Sequence, residues 1–131
     1  MTTASPREIA VGFFEDVGAG RFDAAFGRLA PDVAYEVIAP PPYGGRMDRE
    51  GLGQVYGNGI GTVLAQPLQL TVVGVTAEGE RVAIEVESRS VNKAGMVYNN
   101  RYHFLFVVRD GVIVEGREYL DSAHFIAILD V

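Results

Sequence analysis

The sequence predicts an α+β domain in which helices precede and flank an antiparallel sheet. Three observations carry this. Apolar residues recur at helical spacing through the first part of the chain, from Ile9 to Leu29. From Leu68 the apolar period becomes two, in four runs joined by short turns containing glycine. After Asp121 the spacing turns helical again. Helices segregated from an antiparallel sheet define the α+β class.

Each element has a local reason. Ser5-Pro6-Arg7-Glu8 reads as a helix start: serine caps, proline takes the first turn and glutamate closes a capping box. Ile9, Ala10, Phe13, Phe14 and Val17 give that helix its apolar face, and Gly18 and Gly20 end it. Phe22, Ala25, Phe26 and Leu29 outline a second helix, ended by Pro31. Val33 to Ile38 reads as a strand, followed by an extended loop at Pro40-Pro41-Pro42. Residues 48–65 carry apolar side chains at helical spacing, but glycines 51, 53, 57, 59 and 61 interrupt them. Each interior glycine costs up to ~1 kcal/mol against alanine, so a broken helix and a yielding wall are expected. "GNGIG" within it follows no strand, which removes a dinucleotide-loop reading. Strands are expected near 68–77, 81–91, 96–108 and 112–120, and Asp121 should cap a last helix through Phe125 and Leu129.

Composition narrows the function classes. With 131 residues, a single domain spanning 1–131 is expected. A 48% apolar, 21% charged chain is globular. The absence of cysteine excludes disulfides, thiol nucleophiles and thiolate metal sites. A net charge of -6 without a basic run argues against nucleic acid. No run approaches the ~18 apolar residues of a membrane span, and MTTASPREIA lacks a signal-peptide pattern. A cytoplasmic protein is expected. Two histidines, His103 and His124, in separate places make no metal site, and no cofactor is expected.

The chemistry concentrates in "YNNRYHFLFVVRDGVIVEGREYLD", residues 98–121. A three-residue Arg109-Asp110-Gly111 turn, pairing 108 with 112, sorts the hairpin into two faces. Asn100, Tyr102, Phe104, Phe106, Glu118 and Leu120 take the apolar face, with Glu118 opposite Tyr102. His103, Leu105, Arg117 and Tyr119 take the mixed one. A two-residue Asp-Gly turn would mix Phe104 and Phe106 with Glu115 and Arg117. The hairpin before it has two readings. A four-residue turn from Asn92 to Gly95 places Glu85 opposite Tyr102 and Glu87 opposite Asn100. A turn one residue different puts Val82, Ile84 and Val86 inside and both glutamates in water.

"GAGRF", "LAPDVAYE", the proline-rich loop and then "EVES" with "VYNNRYHFLFVVRDGVIVEGREYLD" resemble the nuclear transport factor 2-like superfamily, and within it the SnoaL-like branch. That branch includes polyketide cyclases, ketosteroid isomerases and limonene epoxide hydrolases. The resemblance implies a cone: a curved antiparallel sheet packed on three helices of the N-terminal half, a short C-terminal helix and a deep apolar pocket. It also implies a homodimer through the outer sheet face.

The resemblance aligns Glu118 with one catalytic acid of the epoxide hydrolases and Glu87 with another. The intervening arginine is Glu85 here, and the water-holding tyrosine and asparagine fall near Glu36 and Ile38. Against ketosteroid isomerase, Phe13 replaces the oxyanion tyrosine and Val37 or Glu36 falls at the general base. Tyr102 falls at the second oxyanion donor.

The expectation is acid–base catalysis without a cofactor on a small apolar, oxygen-bearing molecule, by isomerisation, cyclisation or hydration. Glu118 and Glu87 would move protons and Tyr102 would polarise an oxygen. Phe13, Phe14, Tyr56, Glu85, Asn100, Phe104, Leu120 and Phe125 would contact the ligand. If Glu85 and Glu87 point inward, the aliphatic residues of that strand point outward and need a partner subunit. The alternative is a non-catalytic ligand-binding or dimerisation domain of the same fold.

Overall fold

The computed structural model describes residues 4–130. Helix α1 (Pro6–Gly18) opens with the expected capping box: Ser5 Oγ accepts from the Glu8 amide at 3.2 Å, and Glu8 Oε1 accepts from the Ser5 amide at 3.4 Å. Helix α2 (Phe22–Gly27) leads into strand β1 (Leu29–Ile38), so Pro31 lies in the strand rather than at a helix end. The buried Asp16 carboxylate ties α1 to this corner, accepting from Arg28 Nε at 2.9 Å and Arg21 Nε at 3.0 Å. Hydrogen bonding by Arg28 is the main reason its carboxyl titrates below the usual range.

A short strand β2 (Gly45–Met47) precedes α3 (Arg49–Gln54), which is capped by Asp48. The glycine-rich stretch then widens into a π-helical segment (Val55–Ile60) before a last turn, α4 (Gly61–Val63). Gly59 leaves helical geometry altogether, at φ -104° and ψ -105°. The helix expected over 48–65 is thus broken where its glycines cluster. Strands β3 (Gln69–Glu78), β4 (Arg81–Val91), β5 (Val97–Tyr98), β6 (Arg101–Arg109) and β7 (Val112–Leu120) follow, then helix α5 (Ser122–Leu129), capped by Asp121.

The sheet order is β2-β1-β7-β6-β4-β3, with β5 paired to the end of β4. Neighbours are antiparallel except β1, which joins β7 in parallel. The mixed sheet curls into a half-barrel around the helices, the cone expected. Its concave face holds the core. Phe14 stacks on Phe106 at 5.6 Å and tilts against Phe104 at 4.6 Å, while Phe13 meets Phe106 edge-on at 5.6 Å.

One register differs from expectation, and a second falls on one of the two readings left open. The last hairpin closes on a two-residue Asp110-Gly111 turn, both residues at positive φ, pairing Arg109 with Val112. This is the turn type that matches strand twist. Alone it would have mixed the faces. A bulge at Val114 restores them: Val107 faces Glu115 while Val108 faces Ile113. Phe104, Phe106, Gly116 and Glu118 therefore still share one face, but Glu118 pairs with Phe104 and Tyr102 with Leu120.

On the other side of β6, Val86 lies opposite Tyr102 and Glu85 opposite His103. Val82, Ile84 and Val86 are buried; Glu85 and Glu87 are exposed on the convex face. Burying three aliphatic side chains is favourable by roughly 1.5–3 kcal/mol each, whereas two uncompensated carboxylates would cost more than that. Of the two readings of this hairpin, the Glu85–Tyr102–Glu118 rung does not form, and the turn one residue different, with Val82, Ile84 and Val86 inside, is the one the structure takes. The aliphatic patch that would have required a partner on this face is absent with the rung.

Candidate functional site

The parallel β1–β7 pair builds the site's acidic end. Alternation on β1 turns Val33, Tyr35 and Val37 inward. Tyr35 lies beside Gly116, where a Cβ would sit 2.7 Å from its ring. That missing side chain lets the phenol lie flat and reach Glu118. Its hydroxyl donates to Glu118 Oε1 at 2.6 Å.

Glu118 is half-buried, and the walls around its carboxyl are apolar and aromatic. Burial pushes its pKa up to about 7, against the opposing hydrogen bond from Tyr35. Tyr35 is itself held well above the ordinary phenol value, first by burial and then by the Glu118 charge. Glu118 is therefore poised between acid and base near neutrality, and Tyr35 remains a donor.

The other end is a hydroxyl network. Tyr98 and Tyr102 share a 2.7 Å hydrogen bond. Asn100 Nδ2 donates to Tyr98 Oη at 3.1 Å, and Tyr102 donates to Ser88 Oγ at 3.3 Å. Asn100 also accepts from the Arg101 and Asp121 amides and donates to the Asp121 carbonyl, which locks the start of α5 to β6. Burial raises both phenols, Tyr98 to about 12. Both stay neutral donors at physiological pH.

Between the two ends lies a narrow, partly open cavity of about 40 Å³. Glu118, Tyr102, Tyr56, Phe104 and Phe125 line it, as do Tyr98, Val37 and Leu52. The remaining expected contacts lie elsewhere. Phe13 and Phe14 are fully buried core residues behind the cavity, because α1 packs directly on β6. Asn100 is turned into its hydrogen bonds, and Leu120 packs against the core without lining the cavity. Glu85 and Glu87 lie across the sheet, so Glu118 is the one carboxylate among the lining residues.

Glu36 faces the convex side, 4.0 Å from Arg46. His103 is exposed there too, while His124 packs on Tyr98 at 5.4 Å and its Nε2 accepts from the Asn99 amide. Among the described residues, no group of three His, Asp or Glu side chains could hold a metal, and no helix is long and apolar enough to cross a membrane.

Sequence reasoning missed Tyr35 and Tyr98. The signal for Tyr35 was present: a tyrosine between two inward valines needs a buried partner for its hydroxyl. Tyr98 had no such signal, because β5 is two residues long.

Comparison with known proteins agrees with this architecture. No curated protein matches the sequence significantly. Among solved structures, IdmH of Streptomyces antibioticus, a proposed polyketide cyclase, superposes with a TM-score of 0.81 at 23% identity, over 98% of this chain and 100% of IdmH. A proposed polyketide cyclase of Xanthomonas campestris pv. campestris gives 0.77 at 26% identity, over 96% of this chain and all of that one. TerC, co-crystallised with polyporic acid, gives 0.80 at 18% identity, over 97% and 100%. The SnoaL-like domain family model matches residues 10–116, most of the chain, and the protein belongs to that family.

Proposed function

We propose that the cavity binds a small apolar, oxygen-bearing molecule and that Glu118 moves a proton within it, without a cofactor. The observation that carries this reading is the Glu118 carboxyl, shifted to about 7 in an apolar cavity by burial and gripped by Tyr35. A group titrating near the working pH can both take and return a proton. One carboxyl doing both suits isomerisation or an aldol-type cyclisation. It suits hydration less, because that chemistry separates an acid from a base and Glu87 lies across the sheet. Tyr102, giving up its 3.3 Å bond to Ser88, would turn its one O–H to the ligand's carbonyl oxygen while accepting from Tyr98. The two proposed polyketide cyclases of the same fold support the cyclisation form of this reading.

The test is proton exchange at carbon. In D2O, the protein should speed deuterium uptake α to the carbonyl in a panel of cyclic ketones and enones, and Glu118→Gln should abolish the effect. Binding of panel members with exchange no faster than buffer would refute catalysis and leave a ligand-binding domain. Association of two copies through the convex face is also proposed. It rests on the family resemblance alone, and sedimentation equilibrium decides it.

A further inference from the structure

Outside the cavity lies an open groove of about 680 Å³. It runs between the C-terminal end of α1, Phe22, the π-helical segment and the loop from Leu64 to Leu68. The groove and the cavity share three wall residues: Tyr56, Ile60 and Leu68. Among the described residues, no charged side chain lines the groove, although 21% of the chain is charged. Phe22 is 43% exposed at its edge, an aromatic ring facing open space.

Tyr56 is the partition between the two. Its ring packs against Phe22 and Phe26, at 6.2 Å and 5.8 Å. It stands in the π-helical segment, a distortion common at functional sites. Gly61 permits that turn, since a Cβ there would collide with the Tyr56 carbonyl oxygen. The cavity's 40 Å³ holds only a few waters, far below the ~300–1,000 Å³ of a typical ligand pocket. An organic ligand therefore enters only if a wall yields. The wall at Tyr56 has glycine on its flank and open space behind it.

We propose that the groove is a second subsite, continuous with the cavity once Tyr56 turns aside, and that the site takes an elongated, uncharged molecule. Its oxygen-bearing head lies between Glu118 and Tyr102, and its apolar tail lies along Phe22 and Leu64. This rests on the reading that the cavity binds a small oxygen-bearing molecule, and it names the shape and charge of that molecule.

The experiment is calorimetric titration with 4-alkylacetophenones from methyl to hexyl. Burying each added methylene should tighten Kd by roughly three- to fourfold. In Phe22→Asp and in Ala65→Asp, both at exposed positions whose folding is checked by thermal unfolding, the hexyl-to-methyl ratio should collapse to within about threefold. A wild-type series that binds without dependence on length overturns the tail subsite and leaves the cavity reading intact. A length dependence unchanged in both charged variants puts the tail elsewhere and overturns the groove. Failure of every member to bind overturns the cavity reading as well.

Discussion

Tyr35 and Glu118, 83 residues apart in sequence, meet in a 2.6 Å hydrogen bond across the parallel β1–β7 pair. The bond sets the chemistry of the cavity. Burial drives the carboxyl toward its neutral form, and the phenol holds part of the charged form in place. Removing the donor should release that restraint. In Tyr35→Phe, the Glu118 midpoint should move above 7, read by carboxyl 13C chemical shift. A hydrogen bond to a charged group is worth roughly 1.5–3 kcal/mol, so the variant should lose stability chiefly above that midpoint.

The same shift makes Glu118 costly to the fold. Its folded-state value of about 7 lies above the 4.5 of an unperturbed glutamate. The folded protein thus binds the proton more tightly than the unfolded chain. Stability is fully present below about pH 4.5, falls as pH rises through 7 and levels off above it. Glu118→Gln should remove this slope. Urea unfolding should find the variant more stable than wild type by about 2–3 kcal/mol at pH 8, and by little at pH 4.5.

Gly116→Ala tests the packing that aims Tyr35. Its methyl group would meet the Tyr35 ring at 2.7 Å and Phe106 at 3.2 Å. Overpacking of this kind costs roughly 1–3 kcal/mol. It should displace the phenol and raise the Glu118 midpoint as Tyr35→Phe does. A glycine needed only for strand geometry would leave the midpoint alone.

Glu85→Gln and Glu87→Gln test the register of β4. Both side chains stand on the convex face, so each change should alter stability by no more than ~0.5 kcal/mol and leave the Glu118 titration unmoved. A Glu87 coupled to Glu118 would shift that midpoint downward when neutralised.

Asn100→Ala tests the hydroxyl end. The amide holds Tyr98, the Asp121 carbonyl and two backbone amides. Its loss strands several buried polar groups at ~1–3 kcal/mol each. Thermal unfolding should report a large drop, and α5 should loosen first, visible as faster amide exchange at His124 and Phe125.

What could be read from the sequence was local. The Ser5–Glu8 capping box, the Asp121 cap, the extent of β4 and β7 and the break among the glycines each follow from a few adjacent residues. The faces of the last hairpin also came out, though through a different turn and a bulge at Val114 that cancel in parity. The register of β4 against β6 came out only as two alternatives, of which the structure takes the one with Val82, Ile84 and Val86 inside. Its loop contains β5 and the Asn92 side chain, whose Oδ1 accepts from the Ala94 and Met96 amides, and no turn rule counts that residue by residue. The parallel pairing of β1 with β7 was out of reach, because nothing local brings Tyr35 beside Gly116.

The most direct measurement is the titration of the Glu118 carboxyl by 13C NMR, assigned by difference from Glu118→Gln. A midpoint near 7, moving upward in Tyr35→Phe, is the result expected of a buried, phenol-held proton carrier. A midpoint near 4.5 that ignores Tyr35→Phe would contradict the account, because it would describe an ordinary solvated glutamate.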